Sequence, residues 1–262
     1  MTCDYWLEAR NTSCIKNGYK VVKDLNLKLK YGENVILIGP NGSGKSSLLE
    51  LINRTIYPTI KKGTVFKLFN KELINIWELR KKISIVNYEV RTRINPKIKV
   101  FDLIDSGLHG CYHKINNKSE RDVSLVENLI NKMSITNLSQ KYFSHLSEGE
   151  KQIVLIARAL IKKPEIIILD EPIANLDIKS KFYLMDQINE LTQLNSNIFC
   201  TTHDISMITE IYNRVIMIKD RTIIANGTQK ETMNNKNINN LFGINIEVLK
   251  HKGTWHIYRK PK

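Results

Sequence analysis

The sequence predicts an α/β fold with a mostly parallel sheet, an N-terminal antiparallel β-subdomain and an inserted α-helical subdomain. Three observations support this prediction. Short β-like runs separated by turns fill the first 70 residues, helical apolar spacing dominates residues 98–145, and strands alternate with long helical patterns after that. Strands joined by helical crossovers form parallel sheets that are covered on both faces.

The elements of the first half follow from local patterns. The stretch YKVVKDLNLKLKYGENVILIG predicts strands broken at Tyr31-Gly32, and a helix is predicted to begin at Lys45. In the inserted region, VFDLIDSGL (100–108) and LVENLINKMSITNL (125–138) have helical spacing and are separated by the polar loop HKINNKSE. This region is therefore predicted to be a helical insertion.

The second half alternates helices and strands. The predicted elements are the helix QIVLIARALI, the strand EIIILD, the helix SKFYLMDQINELTQL, the strand NIFCTT, the helix ISMITEIYNR (205–214), the strands VIMIKD and TIIANG, and a terminal hairpin over 245–260 around Lys252-Gly253.

The composition limits the partners and the compartment. A net charge of +14 favours acidic partners such as nucleic acid, anionic lipid or nucleotide phosphates. The charge is spread along the chain, however, so we do not expect direct nucleic-acid binding. Four scattered cysteines argue against a zinc ribbon or a disulfide framework. We find no secretory signal and no apolar run of about 20 residues, and therefore expect a cytoplasmic protein.

The strongest local signal is GPNGSGKS at residues 39–46, between the strand NVILI and the helix KSSLLELIN. It matches the phosphate-loop pattern G-x-x-x-x-G-K-[ST] in the structural context that the pattern requires. Backbone amides would surround a β-phosphate, Lys45 would reach the β- and γ-phosphates, and the Ser46 hydroxyl would bind Mg²⁺. The predicted fold is therefore a P-loop NTPase core, and a purely structural turn is the disfavoured alternative.

The stretch EIIILDEP supplies the expected second half of such a site. Asp170 ends a buried strand, and a carboxylate there would complete the magnesium shell. Glu171 follows and would polarise an attacking water. Alone, an apolar run ending in Asp-Glu is equally well an ordinary strand end, so the phosphate loop is what makes this interpretation strong.

A third motif is HLSEGEKQ, which precedes an apolar-periodic helix. Ser147 and Glu150 fit a capping box, in which two side chains satisfy backbone donors at a helix start. The same donors and the helix dipole also attract anions. The sequence leaves both interpretations open.

Together these motifs resemble those of the ATP-binding-cassette (ABC) ATPases. The loop GPNGSGKSS, the signature-like LSEGEKQ about 20 residues before IIILDEP, then ANLD and TTHD occur in the order and spacing of that family, across nearly the whole chain. The resemblance implies ATP hydrolysis with Mg²⁺. It also implies a head-to-tail homodimer, in which two ATP molecules lie between the phosphate loop of one copy and the signature of the other.

The resemblance assigns roles residue by residue. Lys45 would hold phosphate, Ser46 and Asp170 would hold Mg²⁺, Glu171 would be the catalytic base, and His203 would contact the γ-phosphate. A satisfied surface or core histidine is the alternative for His203. The implied ATP-binding residues are Gly39, Pro40, Asn41, Gly42, Ser43, Gly44, Lys45, Ser46, Ser47 and Tyr19.

The remaining roles act across the implied dimer. Ser147, Gly149 and Glu150 would form the signature that contacts ATP in trans, and Asp177 would communicate between the two copies. Without the resemblance, Asp177 is a plausible N-cap of the next helix.

Three departures from the family pattern stand out. Glu148 and Glu150 replace the usual glycine and glutamine of the signature, and a carboxylate aimed at ATP would repel it, so Glu148 must face away or be paired. Tyr88 stands about where a glutamine usually contacts magnesium and links to a transport partner. Lys16 occupies the usual place of the adenine-stacking aromatic, and Tyr19 is a substitute or a structural residue.

The resemblance also predicts how the chain is divided. We expect a single domain over 1–262, with a nucleotide-binding core over about 1–87 and 151–240, a helical signature subdomain over 88–150 and a β-hairpin tail over 241–262.

The leading functional hypothesis is an ATPase subunit working with separate membrane permease subunits, peripheral on the cytoplasmic face of a membrane. The C-terminal tail is similar to cassettes of iron-siderophore and related metal importers, whereas the signature and the entry to the helical region are more similar to a group allied to molybdate-type cassettes. The alternatives are a soluble cassette ATPase acting on ribosomes or other nucleoprotein, and a DNA-maintenance ATPase. The latter usually carries a long coiled coil, and the sequence has no such heptad run.

Overall fold

The structure is a computed structural model that describes residues 5–194 and 196–259. Its strands are β1 (Tyr5–Lys16), β2 (Tyr19–Lys30), β3 (Val35–Ile38), β4 (Val65–Leu68), β5 (Ile83–Val86), β6 (Ile166–Asp170), β7 (Asn197–Thr202), β8 (Arg214–Lys219), β9 (Thr222–Gly227), β10 (Ile246–His251) and β11 (Thr254–Arg259). Its α-helices are α1 (Lys45–Ile52), α2 (Ile76–Lys82), α3 (Tyr88–Thr92), α4 (Val100–His109), α5 (Glu120–Lys132), α6 (Glu148–Leu160), α7 (Ile178–Glu190), α8 (Gln229–Thr232) and α9 (Asn235–Phe242).

The chain forms two compact units, Met1–Arg80 with Asn197–Lys262, and Lys81–Ser196. In the first unit β7, β3 and β8 are parallel neighbours and β9 is an antiparallel edge, in the order β7-β3-β8-β9. All four residues of β3 are buried, as expected for a central parallel strand. A second sheet of the same unit, in the order β2-β1-β4, is antiparallel.

Aromatic packing joins the two sheets of the first unit. Trp6 of β1 is buried and meets Phe199 of β7 edge to face, with ring centroids 6.2 Å apart. Such pairs add about 0.5–1.5 kcal/mol to the burial itself. The predicted C-terminal hairpin is confirmed as β10 and β11, and the last predicted residue, Lys260, lies outside the described residues, as does Cys3.

In the second unit β5 and β6 form a parallel pair, and the helices α3 to α7 belong to the same unit. The helical insertion is confirmed by α4 and α5. Helices α4 and α6 approach closely at Gly107, where an added Cβ would lie 2.4 Å from the Arg158 carbonyl oxygen. Among the described residues, no helix combines the length and the apolar character that crossing a bilayer requires.

One predicted element is wrong. Residues 205–214 were expected to form a helix, but only a 3-10 turn over Ile205–Met207 is present. The apolar side chains at helical spacing, Ile205, Ile208 and Tyr212, are buried as expected. The Gln229 amide donates to the carbonyls of Thr209 and Tyr212, at 2.7 and 2.6 Å, so a side chain from another element satisfies part of this backbone.

Candidate active site

The phosphate loop, residues 39–47, joins β3 to α1 in the first unit. Gly44 is the N-cap of α1 with a φ of 111°, a left-handed value that glycine adopts without steric cost. Because glycine has no side chain, it cannot cap the amides of the first helical turn. This helix start is therefore open to an anion.

The start of the loop packs tightly against β8. A Cβ on Gly39 would lie 2.4 Å from the Ile218 carbonyl oxygen and 2.6 Å from Ser43 Oγ, so only glycine fits there. Ser43 Oγ is buried and has no hydrogen-bond partner among the described residues. A buried hydroxyl left in this way fits a loop whose hydrogen bonds are completed by a ligand.

Lys45 occupies the middle of this loop. Its side chain is 6% exposed, and its ammonium donates to the carbonyls of Gly39 at 2.7 Å and Pro40 at 3.2 Å. The ammonium therefore lies within the loop itself, where a phosphate would be bound. Ser46 follows with an exposed position on the same helical turn, and Ser47 is half-buried.

The structure brings His203 to the phosphate loop. β7 lies parallel beside β3 with Thr202 opposite Ile38, and the Gly39 amide donates to the Thr202 carbonyl at 3.3 Å. His203 follows directly and is exposed. Asp204 fixes the turn after it by accepting the Ser206 amide at 2.9 Å. The first unit thus contains three predicted parts of the site: the phosphate loop, Lys45 and His203.

Lys16, at the usual adenine-stacking position, and Tyr19, the predicted substitute, have different surroundings. Lys16 forms an ion pair with Glu50 of α1 at 2.7 Å. Tyr19, at the start of β2, is 70% exposed. An exposed ring is available for stacking, and the assignment of Tyr19 to adenine stays a prediction.

In the second unit, Asp170 and Glu171 lie at the end of β6. Asp170 is half-buried after four buried residues, and Glu171 has a φ of 50°, uncommon for a residue other than glycine. Strained backbone of this kind occurs at functional sites, where the surrounding structure maintains it. The Asp170 carboxylate is a hard oxygen donor, the kind of ligand that Mg²⁺ prefers.

Asn87 and Tyr88, at the position where the family usually has a glutamine, lie at the same end of the β5–β6 pair as Asp170. Val86 of β5 is paired with Leu169 of β6, so Asn87 and Tyr88 follow β5 at the end of the pair where Asp170 is the last residue of β6. Asn87 caps α3 by accepting the Val90 amide at 3.0 Å. Tyr88 is 76% exposed as the first residue of α3.

The signature lies at the start of α6, and the predicted capping box is confirmed. Ser147 Oγ accepts the Glu150 amide at 3.2 Å, and Glu150 accepts the Ser147 amide at 2.7 Å. Burial pushes the pKa of Glu150 upward, but the Ser147 amide and Lys141 outweigh it and leave the pKa below its ordinary value. Glu150 is therefore an anionic acceptor rather than an amide donor.

Glu148 is paired, which meets the condition set by the sequence. Its carboxylate lies 2.5 Å from an Arg91 guanidinium nitrogen and 2.8 Å from Lys151 Nζ. The hydrogen bond from Arg91, followed by that from Lys151, lowers the pKa of Glu148. The sequence showed that a partner was needed but not that Arg91 supplies it, because Arg91 lies far away along the chain.

Gly149 packs against the start of α7. An added Cβ would lie 2.9 Å from Ser180 Cβ. Asp177 caps α7 by accepting the Ser180 amide at 3.0 Å, as the residue pattern alone predicted, and it also accepts the Ser180 hydroxyl at 2.7 Å. Ser180, which the sequence did not single out, thus connects the signature glycine to Asp177.

Replacing Gly149 with Ala should destabilise the protein by about 1–3 kcal/mol, because the new methyl group forces α6 and α7 apart. Urea unfolding measures this cost. In a Ser180→Gly background the nearest atoms are removed, so the same substitution should cost clearly less. An equal cost in both backgrounds would mean that the close contact with Ser180 is not what restricts this position.

Comparison with known proteins shows the family of this chain. The family described as "ABC transporter" matches residues 22–174. An ABC transporter ATP-binding protein of Lactococcus lactis is 31% identical over 92% of this chain and 94% of its own length. One from Methanocaldococcus jannaschii is 34% identical over 91% of this chain and 81% of its own length.

Solved structures give the same result. The structure of cbiO1 from Clostridium perfringens, part of the ABC transporter complex cbiONQ, is 27% identical, covers 90% of this chain and 93% of its own and has a TM-score of 0.77. A dimeric post-hydrolysis state of the ATP-binding cassette MJ0796, bound to ADP and Pi, is 25% identical, covers 85% of this chain and 98% of its own and has a TM-score of 0.69.

Proposed function

This chain belongs to the ABC transporter family of ATP-binding proteins and is an ATPase, and we propose that it drives transport by separate membrane-spanning subunits. The observation that carries its ATP-binding part is the geometry of the first unit, in which an uncapped helix start and a buried lysine share one loop and His203 follows the strand paired beside it. That arrangement is suited to the phosphates of ATP.

The first step is nucleotide binding. Backbone amides of the phosphate loop and the Lys45 ammonium bind the β- and γ-phosphates, and Tyr19 stacks on adenine. Ser46 and Asp170 would hold Mg²⁺, which supplies charge neutralisation of the phosphate oxygens when bound.

The second step is hydrolysis in a closed head-to-tail homodimer. Ser147 and Gly149 of one copy face the γ-phosphate held by the other, and Asp177 lies in the segment that communicates between the copies. Glu171 accepts the proton of the attacking water while His203 contacts the γ-phosphate. Most of the rate gain comes from positioning and charge stabilisation, and product release reopens the dimer.

The proposal also covers the partners and the transported substrate. We place the protein at the cytoplasmic face of a membrane, bound to a permease, with import of a metal or iron-siderophore substrate. Similarity to cbiO1, which is part of a transporter complex, supports this proposal, as does the C-terminal hairpin β10–β11. The predicted division into core, helical and tail regions belongs to the same proposal. A soluble ATPase without a membrane partner, acting on ribosome or nucleic-acid complexes, is the disfavoured alternative.

Co-purification from the native cell in mild detergent tests the partner. We expect recovery of a chain with several apolar spans of about 20 residues each. The same purification with salt-washed ribosomes added controls for retention by charge. Recovery of ribosomal or DNA-bound proteins in place of a membrane protein would favour the alternative.

A further inference from the structure

The helix that begins at one departure from the family pattern, Tyr88, also carries an arginine that contacts another departure, Glu148. Tyr88, at the usual glutamine position, begins α3, and Arg91 lies in the last turn of that short helix. Arg91 reaches Glu148, the carboxylate that replaces a signature glycine, at 2.5 Å. The side chains of Arg91 and Glu148 are 34% and 45% exposed, so both are still partly hydrated.

We propose that Arg91 is a positioning residue for the ATP site. Arg91 holds the Glu148 carboxylate away from the phosphates and fixes the start of α6 to α3. This inference rests on the proposed role of the signature in binding ATP in trans. Arg91 itself touches no reacting atom in this scheme and acts through Glu148.

The charges around Glu148 explain why a positioning residue is needed. Glu148 is the first residue of α6, where a negative charge stabilises the helix but opposes a second anion. Arg91 and Lys151 contribute two positive charges against this one carboxylate. The group therefore carries a net positive charge, and the hydrogen bonds from Arg91 and Lys151 lower the pKa of Glu148.

The ion pairs of Glu148 with Arg91 and with Lys151 have different structural effects. Lys151 is three residues from Glu148 on the same helix, so their pair cannot restrain α6 against another element. Arg91 comes from α3, which follows β5, and β5 is paired with the strand that carries Asp170. The Arg91–Glu148 pair therefore connects the end of the β5–β6 pair, where Asp170 and Glu171 lie, to the signature at the start of α6.

A double-mutant cycle tests the proposal. In a Glu171→Gln background, the ATP concentration for half-maximal dimerisation is measured by sedimentation velocity. Arg91→Ala should raise it about two- to fivefold, the range expected for a partly exposed ion pair. In a Glu148→Gly background, Arg91→Ala should change this ATP concentration less than about twofold, because Arg91 no longer has a carboxylate to pair with. Two substitutions that acted independently would instead have additive effects.

Matched variants separate positioning from general stability. Arg91→Lys should restore at least half of the loss. Arg93→Ala removes a neighbouring arginine whose pair with Glu89 is exposed and 3.6 Å long, and it should change nothing. The melting temperature of each Arg91 and Arg93 variant should stay within about 2 °C of that of its own background. The loss with Arg91→Ala should shrink in 0.5 M salt, a condition that screens partly exposed pairs.

Several results would overturn the proposal. These are an equal effect of Arg91→Ala in both backgrounds, no effect in either, or a loss explained by a lower melting temperature. Failure of the proposed function is distinguishable, because then the Glu171→Gln protein would not dimerise at any ATP concentration. Dimerisation that is unaffected by Arg91→Ala would contradict the inference alone.

Discussion

Replacing Glu171 with Gln is expected to lower ATP turnover by about 10²–10⁴-fold while ATP binding persists. That range is the usual contribution of a general base, and the amide cannot accept the proton of the attacking water. Glutamine has nearly the same shape, so the left-handed turn at Glu171 and the end of β6 should be retained. The trapped ATP should then stabilise a dimer that is visible on size exclusion.

Steady-state phosphate release and size exclusion with and without ATP measure both effects. Glu165→Gln is the matched control, because Glu165 immediately precedes β6 at its other end and pairs with Lys82 at 2.6 Å. It should leave turnover within about twofold, since surface pairs contribute little. Unchanged turnover in Glu171→Gln would rule out Glu171 as the base.

Replacing Lys45 with Met should weaken ATP binding by about ten- to a hundredfold or more. A hydrogen bond to a charged group contributes about 1.5–3 kcal/mol, and each 1.4 kcal/mol is a factor of ten in Kd. The Met side chain fills the same buried space, so α1 should remain folded even though the hydrogen bonds to the Gly39 and Pro40 carbonyls are lost.

Isothermal titration with ATP in the presence of Mg²⁺ measures the change in Kd. Lys71→Met is the control, because Lys71 lies in the same unit and pairs with Glu78 at 2.8 Å but is outside the loop. Its Kd should stay close to that of the wild type. ATP binding retained by Lys45→Met at wild-type affinity would contradict the assignment of the loop lysine, and a lost circular-dichroism signal would show that the fold was damaged instead.

Much of the fold could be predicted because its signals are local. The apolar run before Asp170, the glycines of the phosphate loop and the Ser147–Glu150 capping box each act within a few residues, and each is found in the structure as predicted. The order of these motifs also indicated a family, which the similarity to ABC transporter proteins confirms. The roles of the site residues stay predictions.

The failure at residues 205–214 shows the limit of local reasoning. The apolar spacing there predicts a helix, but only a short 3-10 turn forms, and a side chain from α8, Gln229, donates to the backbone carbonyls of Thr209 and Tyr212. Periodicity reports which side chains are buried. It does not report which hydrogen bonds the backbone makes when a distant donor is available.

The sequence by itself determined which chemical groups this protein has and where they stand on strands, loops and helix starts. Only the tertiary structure decided their partners: Arg91 for Glu148, Ser180 for Gly149, and the Thr202 carbonyl for the Gly39 amide. The physical reason is that ion pairs and close packing depend on separation in space, and residues far apart along the chain become neighbours only when the strands and helices have packed.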